Sequence, residues 1–128
     1  MNEKIFFKEL SFILNGLCFR VHNELGRFCR ERQYADRLEQ LFRTEGLKYQ
    51  REVDLLKIRK ESPTGNRADF VIESKIVIDL KAKPIITKDD YLQMQRYLWS
   101  SGLKLGLIVN FRSRYLKPKR VINTRMHS

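Results

Sequence analysis

The chain has 128 residues, of which 42% are hydrophobic and 32% charged, a composition typical of one globular domain. Its 26 Lys and Arg residues outnumber 15 Asp and Glu residues, so the formal net charge is +11. No apolar run reaches the roughly 18–20 residues that a membrane span needs, which argues against an integral membrane protein. We therefore expect one domain over residues 1–128 and a polyanionic partner, nucleic acid before an anionic membrane surface.

The sequence holds two cysteines, Cys18 and Cys29. On one helix they would lie roughly 16 Å apart, too far for a disulfide. We therefore expect free thiols and a cytoplasmic protein. Together with His22 they offer three soft metal ligands but no fourth, so we do not predict a zinc site.

Two amphipathic helices are predicted first. Apolar residues recur at three- and four-residue spacing, as on one helix face, at Leu10, Ile13, Leu14, Leu17 and Val21. Gly26 is predicted to end this helix. A second helix is predicted over residues 30–45, ended by Gly46, with a buried stripe of Tyr34, Leu38, Leu41 and Phe42.

The next segments are predicted to be three strands, a helix and a strand. The strands cover residues 47–60, 68–73 and 76–83, with a turn at 62–66. The third helix begins near Thr87, which has capping-box spacing with Asp90, and stops at Gly102. An apolar strand follows at 103–111, and a short strand at 120–122. This order predicts an α/β fold with a mixed central sheet flanked by helices.

The predicted strands carry charged residues among apolar ones. Asp79 and Lys81 are two residues apart, so they share one face of a strand. If the preceding hairpin turns on a three-residue loop centred at Ser74, Asp69 lies opposite Asp79. A two-residue loop instead puts the two aspartates on opposite faces.

Two facing carboxylates repel each other, and burying either one unpaired is costly. Mg²⁺ or Mn²⁺ bound by Asp69 and Asp79 would resolve both problems, and a coordinated water could act as a nucleophile. The ammonium of Lys81 would orient that water and stabilise charge on a reacting phosphate. The alternative is an ordinary ion pair guarding a sheet edge.

The C-terminal part of the chain is basic, with no acidic residue after Asp90. Residues of about 112–128 form a basic tail in which Arg112 and Arg114 are interleaved with Phe111 and Tyr115. This pattern indicates either a phosphate-binding surface or a solvated tail, and its charge alone does not separate nucleic acid from anionic lipid.

Several segments together resemble the GxxExxY protein family of the PD-(D/E)XK nuclease superfamily. The resemblance covers about residues 10–123, and its segments are 21–26, 31–34, 68–70, 78–82 and 102–111. It implies a restriction-endonuclease-like αβββαβ core with an extra N-terminal helix. It also implies that Asp69 and Asp79 are metal ligands, that Lys81 is the catalytic lysine and that Glu31 is an additional acidic ligand.

Further site residues rest on other observations. Gln93 and Tyr97, neighbours on one helix face, resemble the Gln-x-x-x-Tyr of RecB-like nucleases in the same superfamily, and would bind substrate together with Arg112 and Arg114 of the basic tail. Tyr34 and His22 would support Glu31. The sequence departs from the family pattern at Phe28, where the motif has its first glycine, at Ala68, where the superfamily has proline, and at Asp79, where glutamate is commoner.

The sequence therefore predicts a Mg²⁺- or Mn²⁺-dependent nuclease, a hydrolase of phosphodiester bonds in DNA or RNA, with DNA favoured. The alternative is a catalytically inactive nucleic-acid-binding module on the same fold. A third reading, membrane-surface association, uses the apolar face of the first helix, but we expect no membrane partner. We expect the same face to pack on the sheet or on a second protomer as a homodimer.

Overall fold

The computed structural model describes residues 7–55 and 67–125. Three helices and five strands lie in these two ranges. In chain order they are α1 (Lys8–Leu25), α2 (Glu31–Thr44), β1 (Tyr49–Val53), β2 (Ala68–Ile72), β3 (Ile76–Lys81), α3 (Lys88–Ser101), β4 (Leu105–Asn110) and β5 (Lys119–Ile122). The predicted αβββαβ core, its extra N-terminal helix and the short last strand are all present.

The strands form one mixed sheet in the order β1-β2-β3-β4-β5. β3 and β4 are parallel, whereas the other neighbouring pairs are antiparallel. A parallel pair needs a crossover connection, which α3 supplies. The predicted α/β fold with a mixed central sheet is therefore confirmed.

Helices cover both faces of the sheet. On one face α1 and α2 pack against the strands in a core that includes Leu38 and Phe70. On the other face α3 packs in a second core that includes Met94 and Ile108. Because both faces are covered, all six residues of β4 and five of six in β3 are buried, as expected for central parallel strands.

The β2–β3 hairpin determines which charged residues meet. Phe70 pairs with Ile78 and Ile72 pairs with Ile76, so the turn is the three-residue loop centred on Ser74. Continued by one residue, this register sets Asp69 opposite Asp79. The alternative with a two-residue loop is wrong.

Helix boundaries agree closely with the predicted ones. Gly26 and Gly102 end α1 and α3 with φ of 77° and 73°, a conformation that glycine adopts without steric cost. The backbone N–H of Thr87 donates to Oδ2 of Asp90 at 2.7 Å, which confirms the predicted capping box. Residues 56–60 of the first predicted strand and the turn at 62–66 lie outside the described residues.

One residue of the predicted buried face of α1 is exposed. Ile13 has 44% of its surface accessible, whereas Leu14 and Val21 are fully buried. At 100° per residue, Ile13 lies about a quarter turn from the centre of the buried stripe. Ile13 was predicted to be buried because it is apolar, and that prediction is wrong.

The close approach of α3 to β4 depends on Gly106. A Cβ atom at this position would lie 2.3 Å from Sδ of Met94, which is itself fully buried. We expect Gly106→Ala to lower the free energy of unfolding by about 1–3 kcal/mol, because a packed core has no room for an added methyl group.

Gly16 provides the matched control for Gly106. It lies within α1 and has no atom within 4 Å of an added Cβ. Gly16→Ala should raise the free energy of unfolding by up to about 1 kcal/mol, because alanine favours a helix interior. Denaturant titration tests whether Gly106→Ala lowers and Gly16→Ala raises the free energy of unfolding. Equal changes in the two variants would contradict the packing of α3 against β4.

Candidate active site

Asp79 and Lys81 lie near the C-terminal end of β3 and face α3. Their neighbours Ile78 and Leu80 belong to the core on the opposite face, as strand alternation requires. Asp79 is only 4% exposed, so its carboxyl group lies inside the protein.

The carboxylate of Asp69 completes a pair with that of Asp79. Its Oδ2 accepts a hydrogen bond from the backbone N–H of Leu80 at 2.6 Å, which holds the side chain against β3. Burial, together with the neighbouring charge and hydrogen bond of Asp79, raises the pKa of Asp69 to about 8. Like charges at a buried site disfavour the ionised form, and a nearby cation favours it.

The ammonium of Lys81 lies among several oxygen atoms. Nζ is 3.0 Å from Oδ2 of Asp79 and 3.8 Å from Oδ1 of Asp90, and it donates to Oε1 of Gln93 at 3.0 Å. Burial opposes the charged form, but the nearby carboxylates, Asp79 first, outweigh it and raise the pKa of Lys81. The side chain therefore remains an ammonium and acts through its charge and its protons.

The buried hydroxyl of Tyr97 lacks a hydrogen bond from any described residue. Oδ2 of Asp79 is equally buried and is paired with Nζ of Lys81 at 3.0 Å. Tyr97 is fully buried; burial, and then the charges of Asp79 and Asp69, raise its pKa. Unsatisfied buried polar atoms are uncommon and concentrate where a ligand or ion is bound.

Glu31 is the first residue of α2. Its charge contributes to the raised pKa values of Asp69 and Lys81, so it is within electrostatic range of both. Within residues 7–55 and 67–125, however, no three His, Cys, Asp or Glu side chains are grouped closely enough to hold a metal ion. The structure thus pairs Asp69 with Asp79 and leaves Glu31 outside the pair.

The residues predicted to support Glu31 have other contacts. The hydroxyl of Tyr34 donates to the carbonyl of Gly26 at 2.6 Å and accepts from the N–H of Cys29 at 3.1 Å, so it fixes the loop that precedes α2. Nε2 of His22 lies 2.8 Å from the carbonyl oxygen of Ser113, which joins α1 to the β4–β5 loop.

The predicted substrate-binding residues divide into two groups. Gln93 and Tyr97 project from α3 toward the carboxylate pair, where Gln93 holds Lys81. Arg112 and Arg114 lie in the β4–β5 loop. Arg112 packs over the ring of Phe28, 5.5 Å from its centroid, and Arg114 is exposed beside Tyr115.

A family model of the PD-(D/E)XK nuclease superfamily matches residues 8–122. The chain belongs to this superfamily. Comparison with curated proteins and with solved structures returns no match. The match spans α1 to the end of β5 and so includes Asp69, Asp79 and Lys81.

Membership in the PD-(D/E)XK nuclease superfamily indicates a nuclease-type domain whose substrate is a nucleic acid. Nucleases of this superfamily generally use divalent metal ions such as Mg²⁺. Among the described helices, none combines the length and apolarity needed to cross a bilayer.

Three polar residues of this superfamily domain were not among the predicted site residues: Asp90, Lys83 and Asn110. Asp90 pairs with both Lys81 and Lys83, so the first turn of α3 is anchored to the end of β3. The side chain of Asn110 bonds the backbone N–H and the carbonyl of Lys83. The available signal for Asn110 was a polar residue at the end of an apolar strand.

Proposed function

We propose that this chain is a divalent-metal-dependent nuclease that hydrolyses phosphodiester bonds, with DNA as the first substrate to test. The observation that carries the proposal is the buried pair Asp69 and Asp79 with the ammonium of Lys81 at 3.0 Å from Asp79. The net charge of +11 supports a polyanionic substrate, because clustered basic residues bind nucleic-acid backbones by releasing counterions.

The residues present fit a divalent cation. Carboxylate oxygens are the ligands that Mg²⁺ and Mn²⁺ prefer, and Asp69 and Asp79 supply them from the adjacent strands β2 and β3. Burial and the neighbouring carboxylate raise the pKa of Asp69, and an added positive charge would stabilise the ionised pair. Asp69 and Asp79 would hold the ion, and we propose Glu31 as the further carboxylate facing it.

The chemistry is addition of water across a P–O bond, which yields a phosphate monoester and a hydroxyl group. A bound divalent ion would supply Lewis acidity and charge neutralisation at the reacting phosphate. Lys81 would donate a hydrogen bond to a non-bridging phosphate oxygen, where negative charge develops. Gln93 and Asp90 position its ammonium, and Arg112 and Arg114 would bind flanking phosphates.

A cleavage assay tests the proposal. The protein is incubated with single- and double-stranded DNA and RNA in Mg²⁺, Mn²⁺ or EDTA, beside an Asp79→Asn variant purified identically to control for contaminating nucleases. We expect cleavage of at least one substrate with Mg²⁺ or Mn²⁺ and none with EDTA or with the variant. Absence of cleavage of every substrate by folded protein, or equal cleavage by the variant, would refute the proposal.

One observation favours the inactive binding module as a second candidate. The described residues contain no group of three metal-ligating side chains, and Lys81 is already held by Asp79 and Gln93. A module of this kind would bind nucleic acid with an affinity that falls steeply with salt, and Asp79→Asn would leave that affinity unchanged or raise it. The cleavage assay separates the two candidates.

We also propose a cytoplasmic location and leave self-association as a hypothesis. Cys18 and Cys29 are both free thiols, which suits a reducing compartment, and burial raises the pKa of Cys18 to about 12. Phe12 and Ile13 are exposed on α1, which is the face that a homodimer would use.

A further inference from the structure

Phe28, in the loop between α1 and α2, is an aromatic residue that is 76% exposed. The guanidinium groups of Arg27 and Arg112 lie over its ring, 5.0 Å and 5.5 Å from the centroid. Single exposed apolar residues are common, but this ring contacts two arginines and still leaves most of its surface open to a ligand.

The two arginines are locked to each other's loops. Nε of Arg27 donates to the carbonyl of Arg112 at 2.8 Å, and Nε of Arg112 donates to the carbonyl of Arg27 at 3.1 Å. Within the part of the chain that the structure describes, neither guanidinium forms a salt bridge with a carboxylate. The ring therefore lies beside two positive charges that form no salt bridge with a described acidic residue.

Backbone contacts place this cluster at the same edge of the sheet as the carboxylate pair. Glu31 follows Phe28 by three residues, and its charge contributes to the raised pKa values of Asp69 and Lys81. Arg112 follows Phe111, whose N–H donates to the carbonyl of Lys81 at 2.9 Å. The loop that carries Arg112 continues to Tyr115, which is 79% exposed.

We propose that Phe28, with Arg27 and Arg112 beside it, is a stacking platform for an unpaired nucleobase, and that it gives the domain a preference for single-stranded over duplex substrate. This inference rests on the proposed nuclease function and names its substrate class. An aromatic face with arginines beside it binds a base and its flanking phosphates together. In a duplex the base faces are stacked on one another, so the platform has no face to bind.

The rigidity of the two loops supports this role. Tyr34 and the reciprocal arginine bonds hold the Phe28 loop, and His22 holds the β4–β5 loop at Ser113. A loop whose backbone is already held loses little conformational entropy when a base stacks on its aromatic residue, which favours binding.

The experiment measures binding without cleavage. A fluorescein-labelled single strand and a hairpin duplex of equal length are titrated in EDTA with wild type, Phe28→Ala and Phe28→Tyr. We expect Phe28→Ala to weaken single-strand binding by about tenfold or more, the loss of one base–aromatic stack, and to change duplex binding by less than about twofold. Phe28→Tyr should retain wild-type affinity, because it keeps the ring.

Phe12→Ala is the matched control. Phe12 is 79% exposed and lies on α1 about 20 Å along the helix from the Phe28 loop, so its removal should leave both affinities unchanged. As a second readout, the fluorescence of a 2-aminopurine base in the single strand should be quenched by wild type and not by Phe28→Ala.

Several outcomes overturn the platform. They are equal weakening of single-strand and duplex binding in Phe28→Ala, no weakening of either, or no single-strand binding by wild type. If wild type cleaves nucleic acid but Phe28→Ala binds normally, the platform fails and the nuclease proposal stands. If Phe28 governs single-strand binding but no substrate is cleaved, the platform stands and the catalytic proposal fails.

Discussion

Lys81→Ala is expected to lower cleavage by about 100- to 1000-fold, the effect of removing one hydrogen-bond donor from a developing negative charge. The chain should stay folded, because the side chain is one charge in a cluster rather than part of the apolar core. Without Mg²⁺ the free energy of unfolding should fall by about 1–3 kcal/mol, since Asp79 loses the ammonium 3.0 Å away and stays buried. Added Mg²⁺ should restore that loss.

Lys83→Ala is the control for Lys81→Ala. Lys83 lies two residues further along, and its ammonium pairs with Asp90. Lys83→Ala should retain cleavage within about tenfold of wild type, because the Lys83 side chain is partly exposed and Asp90 keeps its hydrogen bonds from Thr87. The interpretation of Lys81 as a mere structural partner would instead be supported if Lys81→Ala lost about 3–5 kcal/mol and Mg²⁺ did not recover it. Thermal unfolding with and without Mg²⁺, beside cleavage rates, separates these cases.

The hairpin that carries the site was predictable because its apolar residues leave few alternatives. Phe70 and Ile72 on one strand and Ile76, Ile78 and Leu80 on the other all lie in one core. A register shift by one residue would turn all the apolar side chains of one strand toward the opposite face of the sheet. The sequence left the two- and three-residue loops open, and the three-residue loop is the one that keeps these apolar residues on one face. With that loop Asp69 and Asp79 share a face, and strand alternation places Lys81 with them.

The surroundings of Lys81 could not be predicted in the same way. Gln93 and Asp90 reach its ammonium only because α3 lies close to the sheet, and that distance depends on the contact between Gly106 and Met94. Helix periodicity shows which face of α3 is buried, but not how it is aligned along β3. Gln93 was accordingly predicted to bind substrate, whereas the structure shows it holding Lys81.

Contacts between distant loops were also outside the reach of the sequence. Tyr34 was predicted beside Glu31 because the two are one helical turn apart, but its hydroxyl bonds to the backbone of Gly26 and Cys29. The arrangement of Arg27 and Arg112 around Phe28 joins residues 85 positions apart. No local pattern contains such a pairing.

Asp79→Asn is expected to remove divalent-metal binding. The substitution keeps the size of the side chain but removes the charge of one member of the buried pair, so Asp69 alone remains as a charged ligand on the sheet. Loss of a metal-binding carboxylate should weaken affinity by more than the 10- to 100-fold typical of outer-sphere changes. Asp89→Asn is the matched control, because Asp89 is an exposed aspartate of α3 next to Asp90.

Calorimetric titration with Mn²⁺ of wild type, Asp79→Asn and Asp89→Asn is the most direct test that the carboxylate pair is a metal site. We expect saturable binding of Mn²⁺ to wild type and to Asp89→Asn, with loss of that binding in Asp79→Asn. Heat without saturation in wild type, or the same affinity in all three proteins, would contradict the account.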